Sequence, residues 1–234
     1  MLDVVVNHLA APGPKFNFTD FAEPFDDESY FHKRCFVADS TDTGNQTTVE
    51  QCWLGDAKLP LPDLNTENPF VVEKLNDWIP KLVQDYAIDG LRIDTAKHIR
   101  KDFWPEFVKS AGVFTLGEIL ANNTNYAAQY TGKAPTLYRD THRKQYLIVF
   151  PEVFDAILDY PTYFQVRDAF LNPQGQFSSV VSSLNRSQQT YKNGLFRTAS
   201  FVENHDQPRL ASLTKDPGVH IACDFRVLLC GSIV

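Results

Sequence analysis

The sequence lacks the features of a membrane-spanning or nucleic-acid-binding chain. No apolar run reaches the ~18 residues that a membrane-spanning helix needs, so we expect no membrane span. The formal net charge is −7, whereas nucleic-acid binding needs an excess of basic residues, so we expect no nucleic-acid partner. No Gly-x-Gly-x-x-Gly pattern follows a predicted strand, and no Gly-x-Ser-x-Gly pattern occurs. Dinucleotide binding and the nucleophile elbow of serine hydrolases therefore have no support.

Cysteine is scarce too, and the positions of the cysteines do not decide whether they form disulfides or remain reduced. Two cysteines lie in a loop-like region and two in an apolar tail: Cys35, Cys52, Cys223 and Cys230. A 35–52 disulfide and two reduced thiols fit the composition equally well. The first residues have neither the basic nor the long apolar region of a secretory signal. Four Asn-x-Ser/Thr triplets nevertheless hint at a secreted protein, and they begin at Asn17, Asn45, Asn122 and Asn185.

Short apolar runs that predict strands alternate with segments of helical periodicity. We predict strands at 2–7, 88–94, 113–119, 156–160 and 198–203. We predict helices at 68–82, 102–110, 163–171 and 177–184. In the first helix, Asn68 should be the cap, Pro80 should cause a kink, and Trp78 should share the buried face. The alternation indicates a parallel sheet covered by helices, either open or closed into a barrel. Residues 9–63 show no period, which predicts a loop-rich insertion.

Acidic residues stand at or just beyond the carboxyl ends of three predicted strands. They are Asp94, Glu118 and Asp206. Because these strand ends line the active site in parallel α/β sheets and barrels, the three carboxylates should meet at one rim. Carboxylates in different environments can divide the acid and base roles that cleavage of a glycosidic bond requires. The alternative is that each acid merely caps a turn or a helix.

Histidines and oxygen-bearing side chains accompany the same strand ends. The histidines are His8, His98 and His205. Each could equally be a satisfied core residue or a metal ligand. The oxygen-bearing side chains are Asn7, Glu50 and Asp63. Oxygen ligands suit a hard cation such as calcium better than zinc, and no Cys/His spacing supports a zinc site. Loop acids of this kind can also be simply solvated.

Four segments, in this order, resemble the conserved regions of α-amylases, a family of glycoside hydrolases. They read DVVVNH at 3–8, GLRIDTAKH at 90–98, GEIL at 117–120 and FVENHDQPR at 201–209. Other segments resemble the extracellular α-amylases of fungi, namely YFH at 30–32, CWLGD at 52–56, LPDL at 61–64 and KDFWP at 101–105. Several motifs that occur in the family's order along most of the chain are specific evidence for this family. The chain is therefore identified as a member of this family.

The resemblance implies a fold and a division of the chain. The family fold is a (β/α)8 TIM barrel with a loop-rich domain B inserted after the third strand, and this α/β chain would hold about strands 3 to 7. We expect residues 1–8 and 64–214 to form a partial catalytic barrel and residues 9–63 to form domain B. Residues 131–153 and the tail 215–234 do not resemble the family. We expect an incomplete member of the family, whose barrel is open.

The resemblance also implies roles for individual residues. Asp94 would be the nucleophile, Glu118 the general acid and base, and Asp206 the stabiliser of the transition state in a retaining hydrolysis. Arg92 would pair with Asp94 and keep it ionised. The expected substrate-binding residues are His8, Arg92, Lys97, His98 and His205.

A metal, a disulfide and a location follow from the same resemblance. The expected cofactor is Ca²⁺, and its ligands would be Asn7, Glu50, Asp63 and the backbone carbonyl of His98. The resemblance favours a disulfide between Cys35 and Cys52, and hence a secreted, extracellular protein. The expected partners are starch and malto-oligosaccharides, and we expect the chain to be monomeric.

Three functions are compatible with these motifs. The leading one is endo-hydrolysis of α-1,4-glucosidic bonds. The second is glucan transfer by a related enzyme. His8 and His205 are both kept here and are replaced in some of those relatives, which favours hydrolysis. The third is an inert fragment that binds starch weakly, because an open barrel leaves strand edges unpaired.

Overall fold

The structure, a computed structural model, divides into two compact units, Met1–Leu120 and Ala121–Val234. The described residues are 1–41, 43–131, 136–140, 145–149, 153–172, 174–192 and 194–218. In this part of the chain, every helix is too short or too polar to cross a membrane.

The first unit contributes three parallel strands and a short antiparallel pair. Its strands are β1 (Leu2–Val5), β2 (Leu54–Gly55), β3 (Pro60–Leu61), β4 (Gly90–Asp94) and β5 (Phe114–Gly117). β4 lies between β1 and β5 and pairs in parallel with both, while β2 pairs only with β3. The register sets Asp3 opposite Arg92, and Ile93 opposite Gly117. Because the three strands run parallel, their carboxyl ends lie on one edge.

The helices of the first unit begin and end at local signals in the sequence. They are α1 (Gln46–Gln51), α2 (Pro69–Asp85) and α3 (Trp104–Ala111), with 3-10 turns at Phe18–Asp20, Glu28–Tyr30, Ala96–His98 and Lys101–Phe103. The side chain of Asn68 caps α2 by accepting a hydrogen bond from the Phe70 N–H at 3.0 Å. The helix continues through Pro80. α3 stops before Gly112, whose φ of +65° is the left-handed conformation that glycine adopts without penalty.

The buried face of α2 differs from the predicted one. Val71, Leu75 and Ile79 are buried, whereas Trp78 is 38% exposed, so the prediction that Trp78 shares this face is wrong. Val71, Leu75 and Ile79 are spaced by four residues, which places them in one row along the helix. Trp78 lies one residue off that row.

Residues 9–63 contain few regular elements apart from α1, β2, β3 and two 3-10 turns. Cys35 and Cys52 are joined by a disulfide, which closes a loop across 17 positions. Aromatic rings form a small core in this segment, where Phe18 and Phe31 lie 4.9 Å apart between ring centres and Trp53 is 2% exposed. The assignment of this segment to a separate domain B stays a prediction.

The second unit is mainly helical in its described part. Its strands are β6 (Thr136–Asp140), β7 (Gln145–Val149) and β8 (Ala156–Ile157), and its helices are α4 (Thr124–Ala128), α5 (Tyr160–Leu171), α6 (Phe177–Thr190) and α7 (Leu210–Leu213). A 3-10 helix spans Gly194–Arg197. β6 and β7 pair in antiparallel orientation. α5 packs on α6 through Val166, Ala169 and Val180.

The strand predicted at 198–203 is not observed. Ala199 makes only an isolated parallel bridge with Leu158. β8 is two residues long because the chain turns directly into α5, where Asp159 accepts a hydrogen bond from the Thr162 N–H at 3.3 Å. The helix therefore starts at Tyr160, three residues before its predicted start, and leaves little strand for residues 198–203 to pair with. The tail from 219 onward, with Cys223 and Cys230, lies outside the described residues.

Candidate active site

One guanidinium group in the first unit contacts three carboxylates. Arg92 is 8% exposed. Its Nη1 lies 2.8 Å from Oδ1 of Asp3 and 2.5 Å from Oδ1 of Asp94. Its Nη2 lies 3.4 Å from Oε2 of Glu118. Asp94 and Glu118, predicted from the sequence to meet, therefore lie on either side of a single cation.

The register of the sheet explains this arrangement. Arg92 and Asp94 are two residues apart on β4, so their side chains point to the same face. Asp3 lies opposite Arg92 on β1. Glu118 follows the last residue of β5 and extends the ladder, since its N–H donates to the Ile93 carbonyl at 2.9 Å. Backbone pairing thus fixes all four side chains on one face of the sheet.

The charges in this cluster do not balance. Burial lowers the pKa of Arg92, but its hydrogen bond with Asp3 and the charges of Glu118 and Asp94 raise the pKa overall, so Arg92 stays cationic. When ionised, three carboxylates surround this one cation. The edge is therefore suited to stabilise positive charge that develops on a bound substrate.

Thr95 connects Glu118 to Asn7, which follows the first strand, and sequence reasoning missed it. Its φ of +48° lies in the left-handed region, which costs a β-branched residue ~1–2 kcal/mol. Its N–H donates to Oε2 of Glu118 at 2.8 Å, and its hydroxyl donates to Oδ1 of Asn7 at 2.5 Å. Its place directly after Asp94 was the only signal in the sequence. The strained backbone aims the amide at the acid.

His8 lies beside this cluster. Its Nδ1–H donates to Oδ1 of Asn7 at 2.8 Å. Burial lowers the pKa of His8, and the negative charge of Asp94 opposes that shift. His8 is therefore mainly neutral near pH 7 and is within electrostatic reach of Asp94.

Lys97 and His98 are buried against the long loop segment. Lys97 is 1% exposed and donates to the Ser40 carbonyl. His98 is 3% exposed, and its Nδ1–H donates to the Val49 carbonyl at 2.8 Å. Burial and the charge of Lys97 lower the pKa of His98 to about 4, so it is neutral at pH 7. In this structure both side chains anchor the long loop segment, at Ser40 and Val49, to the 3-10 turn after β4.

The third predicted carboxylate belongs to the second unit. Asp206 and His205 are exposed, and Nε2 of His205 lies 3.4 Å from Oδ2 of Asp206. Asn204 shapes this loop, since its Oδ1 accepts from the N–H groups of Asp206 at 3.2 Å and Gln207 at 2.9 Å. Its Nδ2 donates to the buried Tyr160 hydroxyl at 2.8 Å. Asn204 thereby fixes the conformation of the loop that carries Asp206.

Two of the predicted calcium ligands are in direct contact. Asn7 and Asp63 are each 1% exposed, and Nδ2 of Asn7 donates to Oδ1 of Asp63 at 3.2 Å. Burial raises the pKa of Asp63 to about 7, although hydrogen bonds from His32 and Asn7 oppose that shift. A dry carboxylate beside an amide oxygen is chemically suited to a hard cation. The oxygens of Asn7 and Asp63 already accept protein hydrogen bonds, which a cation would partly replace.

The other two predicted ligands, Glu50 and His98, make their hydrogen bonds with other residues. Glu50 is held by Gln46, whose Nε2 donates to Oε1 at 2.6 Å, and burial raises the pKa of Glu50. His98 contacts Val49, the residue before Glu50. Among the described residues, no group of three or more histidine, cysteine, aspartate or glutamate side chains could hold a metal ion. The donor types of the predicted set fit calcium, and its pairing of Asn7 with Asp63 is present.

Comparison with known proteins decides the family. The family model for the catalytic domain of alpha-amylase matches residues 1–231. The chain belongs to the α-amylase family. It is 38% identical over 221 residues to alpha-amylase 1 of Lipomyces kononenkoae, a match that covers 92% of this chain and 31% of that protein. It is 36% identical over 220 residues to alpha-amylase 2 of Schwanniomyces occidentalis, covering 92% of this chain and 38% of that protein.

Solved α-amylase structures agree with this family. The α-amylase of Malbranchea cinnamomea has a TM-score of 0.78 and 36% identity, over 93% of this chain and 42% of that one. The α-amylase of Geobacillus thermoleovorans, solved with acarbose, has a TM-score of 0.69 and 28% identity, over 91% of this chain and 42% of that one. This confirms the predicted fold class, part of a (β/α)8 barrel. The chain spans less than half the length of the relatives it matches.

Proposed function

We propose that this α-amylase family chain carries the reacting carboxylates of an enzyme that hydrolyses α-1,4-glucosidic bonds in starch- and glycogen-type glucans, cutting within the chain and retaining the anomeric configuration. The observation that carries the proposal is the position of Asp94 and Glu118 on either side of Arg92. Two carboxylates beside one fixed cation provide a nucleophile and an acid, which the retaining route needs.

Asp94 is the proposed nucleophile. Its Oδ1 accepts a hydrogen bond from Nη1 of Arg92 at 2.5 Å, which fixes the position of the carboxyl group before substrate binds. The carboxylate attacks the anomeric carbon, and the bond from that carbon to the leaving sugar's oxygen breaks. A covalent glycosyl-enzyme results.

Glu118 is the proposed general acid and then general base. In the first step its carboxyl proton passes to the departing glucosidic oxygen. In the second step its carboxylate takes a proton from the water that attacks the anomeric carbon and releases Asp94. Glu118 is 5% exposed, and the Thr95 N–H holds one of its oxygens, so its position is fixed before substrate binds.

The remaining predicted residues are assigned supporting roles on the basis of the resemblance. We assign the third carboxylate role, stabilisation of the oxocarbenium-like transition state, to Asp206. We assign His8 and His205 to sugar hydroxyls, and Lys97 and His98 to the leaving-group side. The burial of Lys97 and His98 is compatible with an indirect role through the loop that they anchor.

Calcium is the proposed resident ion. The ion would be held by the side chains of Asn7, Glu50 and Asp63 and by the backbone carbonyl of His98. Its positive charge would stabilise the ionised form of the buried Asp63 carboxylate. The ion would tie Asn7, which follows β1, to the loop segment that holds Glu50 and Asp63.

A secreted location is also proposed. The disulfide between Cys35 and Cys52 and four glycosylation acceptor patterns support it, since disulfides persist in oxidising compartments. Starch in the surroundings would then be the substrate, bound by a protein that we propose to be monomeric.

The test measures release of reducing ends from soluble starch by the purified chain, with calcium and with a chelator. Asp94→Asn and Glu118→Gln should abolish calcium-dependent release, while Asp85→Asn, at an exposed acid outside the cluster, should not. Acarbose, which is bound to the Geobacillus thermoleovorans relative, should inhibit the release. Activity that survives Asp94→Asn would refute the assignment, and longer oligosaccharides from a short donor would indicate glucan transfer. Folded chain without activity would assign the chemistry to a longer protein only.

A further inference from the structure

A groove on the second unit is lined almost wholly by hydroxyl, amide and guanidinium groups. It encloses about 560 Å³. Its main lining side chains come from α5 and α6, and they are Gln165, Ser178, Ser179, Ser182, Ser183 and Arg186. None of the described residues that line it is a carboxylate. Such a surface offers hydrogen-bond donors and acceptors that match sugar hydroxyls and an acetamido group. It has no negatively charged side chain that could bind a cation.

The packing of α5 on α6 shapes this groove. Val180 of α6 packs against Val166 of α5. Ser183, three residues after Val180, is buried at this helix contact, whereas Ser178 and Ser182 are exposed. The hydroxyls of Thr162 and Ser183 lie 3.1 Å apart and join the two helices. Arg186 is exposed, one turn further along α6. Hydroxyl groups therefore line one wall of a groove with a cation at its end.

Asn122 also lines this groove and begins the acceptor pattern Asn-Asn-Thr. The next residue, Asn123, caps α4, because its Oδ1 accepts from the N–H groups of Asn125 at 2.9 Å and Tyr126 at 3.2 Å. The cap leaves Asn122 exposed and outside the helix. Its side chain is thus placed to carry a group that reaches solvent and lies along the groove.

The asparagines of the other three acceptor patterns are not among the residues that line this groove. Asn17 and Asn45 are in the first unit, and Asn45 caps α1 by accepting from the Thr48 N–H at 3.2 Å. Asn185 lies within α6 and is not among the residues that line the groove. Of the four asparagines, only Asn122 adjoins the groove.

We propose that Asn122 carries an N-linked glycan whose first sugars lie in this groove. Nδ2 of Asn122 loses one hydrogen and bonds to the anomeric carbon of N-acetylglucosamine, and the lipid-linked diphosphate of the donor oligosaccharide leaves. The donor and the transferase belong to the secretory pathway of the host. The proposal needs passage through that pathway and does not depend on hydrolase activity, so the two can fail separately.

The first test locates the glycan. The full chain, secreted from yeast behind a leader, is treated with peptide N-glycosidase, and peptides that cover the four acceptor patterns are analysed by mass spectrometry. We expect the Asn122 peptide to show the Asn-to-Asp conversion that marks a former glycan. Thr124→Val should abolish that conversion, whereas Thr124→Ser, which keeps an acceptor hydroxyl, should retain it. Secreted chain with unmodified Asn122 would overturn the proposal.

The second test asks whether the sugar lies in the groove. Enzymatic removal of the glycan should lower the melting temperature of the wild-type chain by roughly 2–4 °C. In a Gln165→Ala, Arg186→Ala variant the same treatment should change the melting temperature by less than half as much. A Thr124→Val chain, which cannot carry a glycan at Asn122, is treated in the same way as the control and should not show this difference. Equal loss in the wild-type and groove-variant chains would refute contact with the groove.

Discussion

Without calcium, the chain is expected to lose stability as the pH rises from about 4 to about 8, and Asp63 is the main cause. Burial raises the pKa of this carboxyl from 3.8 to about 7. Between those values the unfolded chain releases a proton that the folded chain keeps, so rising pH favours unfolding. At ~1.4 kcal/mol for each pH unit between the two pKa values, the free energy of unfolding falls by about 4 kcal/mol.

His32 acts in the same direction. Its Nδ1 lies 2.7 Å from Oδ2 of Asp63, and its Nε2 lies 2.6 Å from Oε2 of Glu67. Burial lowers the pKa of His32, but these hydrogen bonds and charges raise it overall. Its stabilising contribution is present below its ordinary pKa of 6.5 and is lost as the pH rises through the higher folded value. The two groups therefore both make the calcium-free fold weaker in alkaline buffer.

The assay is urea-induced unfolding in the presence of a chelator over this pH range, with Asp63→Asn as the matched variant. The wild-type free energy of unfolding should fall more steeply with pH than that of the variant, because an amide does not titrate. Added calcium should restore wild-type stability above about pH 7 by binding the ionised carboxylate, and it should stabilise the variant less. Equal pH slopes for the wild-type and Asp63→Asn chains would refute the reasoning.

Substitutions at four other positions test features of the first unit by chemical denaturation. Thr95→Val should lower the free energy of unfolding by about 1 kcal/mol, because Oδ1 of Asn7 loses a buried donor, while Thr95→Ser should not; equal losses would disprove the role of the hydroxyl. Cys35→Ser should lower the free energy of unfolding by about 3 kcal/mol, and a reducing agent should have no further effect through this disulfide. An unchanged denaturation midpoint in the variant would contradict a stabilising role for the disulfide. Ala87→Gly, at φ +49°, should stabilise by up to ~1 kcal/mol, and Gly112→Ala, at φ +65°, should destabilise by about 1 kcal/mol; effects of the same sign would count against backbone strain.

Elements with chemical markers at their ends were predictable from the sequence. The Asn68 side chain and Pro69 mark the start of α2, and Gly112 marks the end of α3. The meeting of Asp94 with Glu118 was predictable for a related reason, because parallel strands bring their carboxyl ends to one edge. In each case a local signal or a rule of sheet geometry was sufficient.

Features that depend on tertiary pairing were not predictable from the sequence. The apolar run at 198–203 has the composition of a strand, yet β8 ends after two residues and offers little to pair with. The left-handed backbone of Thr95 is imposed by contacts with Asn7 and Glu118, which are distant in the sequence. The intrinsic backbone preference of a β-branched residue such as threonine disfavours that conformation.

The contacts of Arg92 span very different distances along the chain, and this has a kinetic consequence. Its contact with Glu118 lies within one continuous β4–α3–β5 stretch, whereas its contact with Asp3 joins residues 89 positions apart. Closing the longer loop costs roughly 1 kcal/mol more entropy. The β4–α3–β5 stretch is therefore expected to form first during folding. Substitutions in its core, such as Phe107→Leu, should slow refolding, whereas Asp3→Asn should mainly speed unfolding.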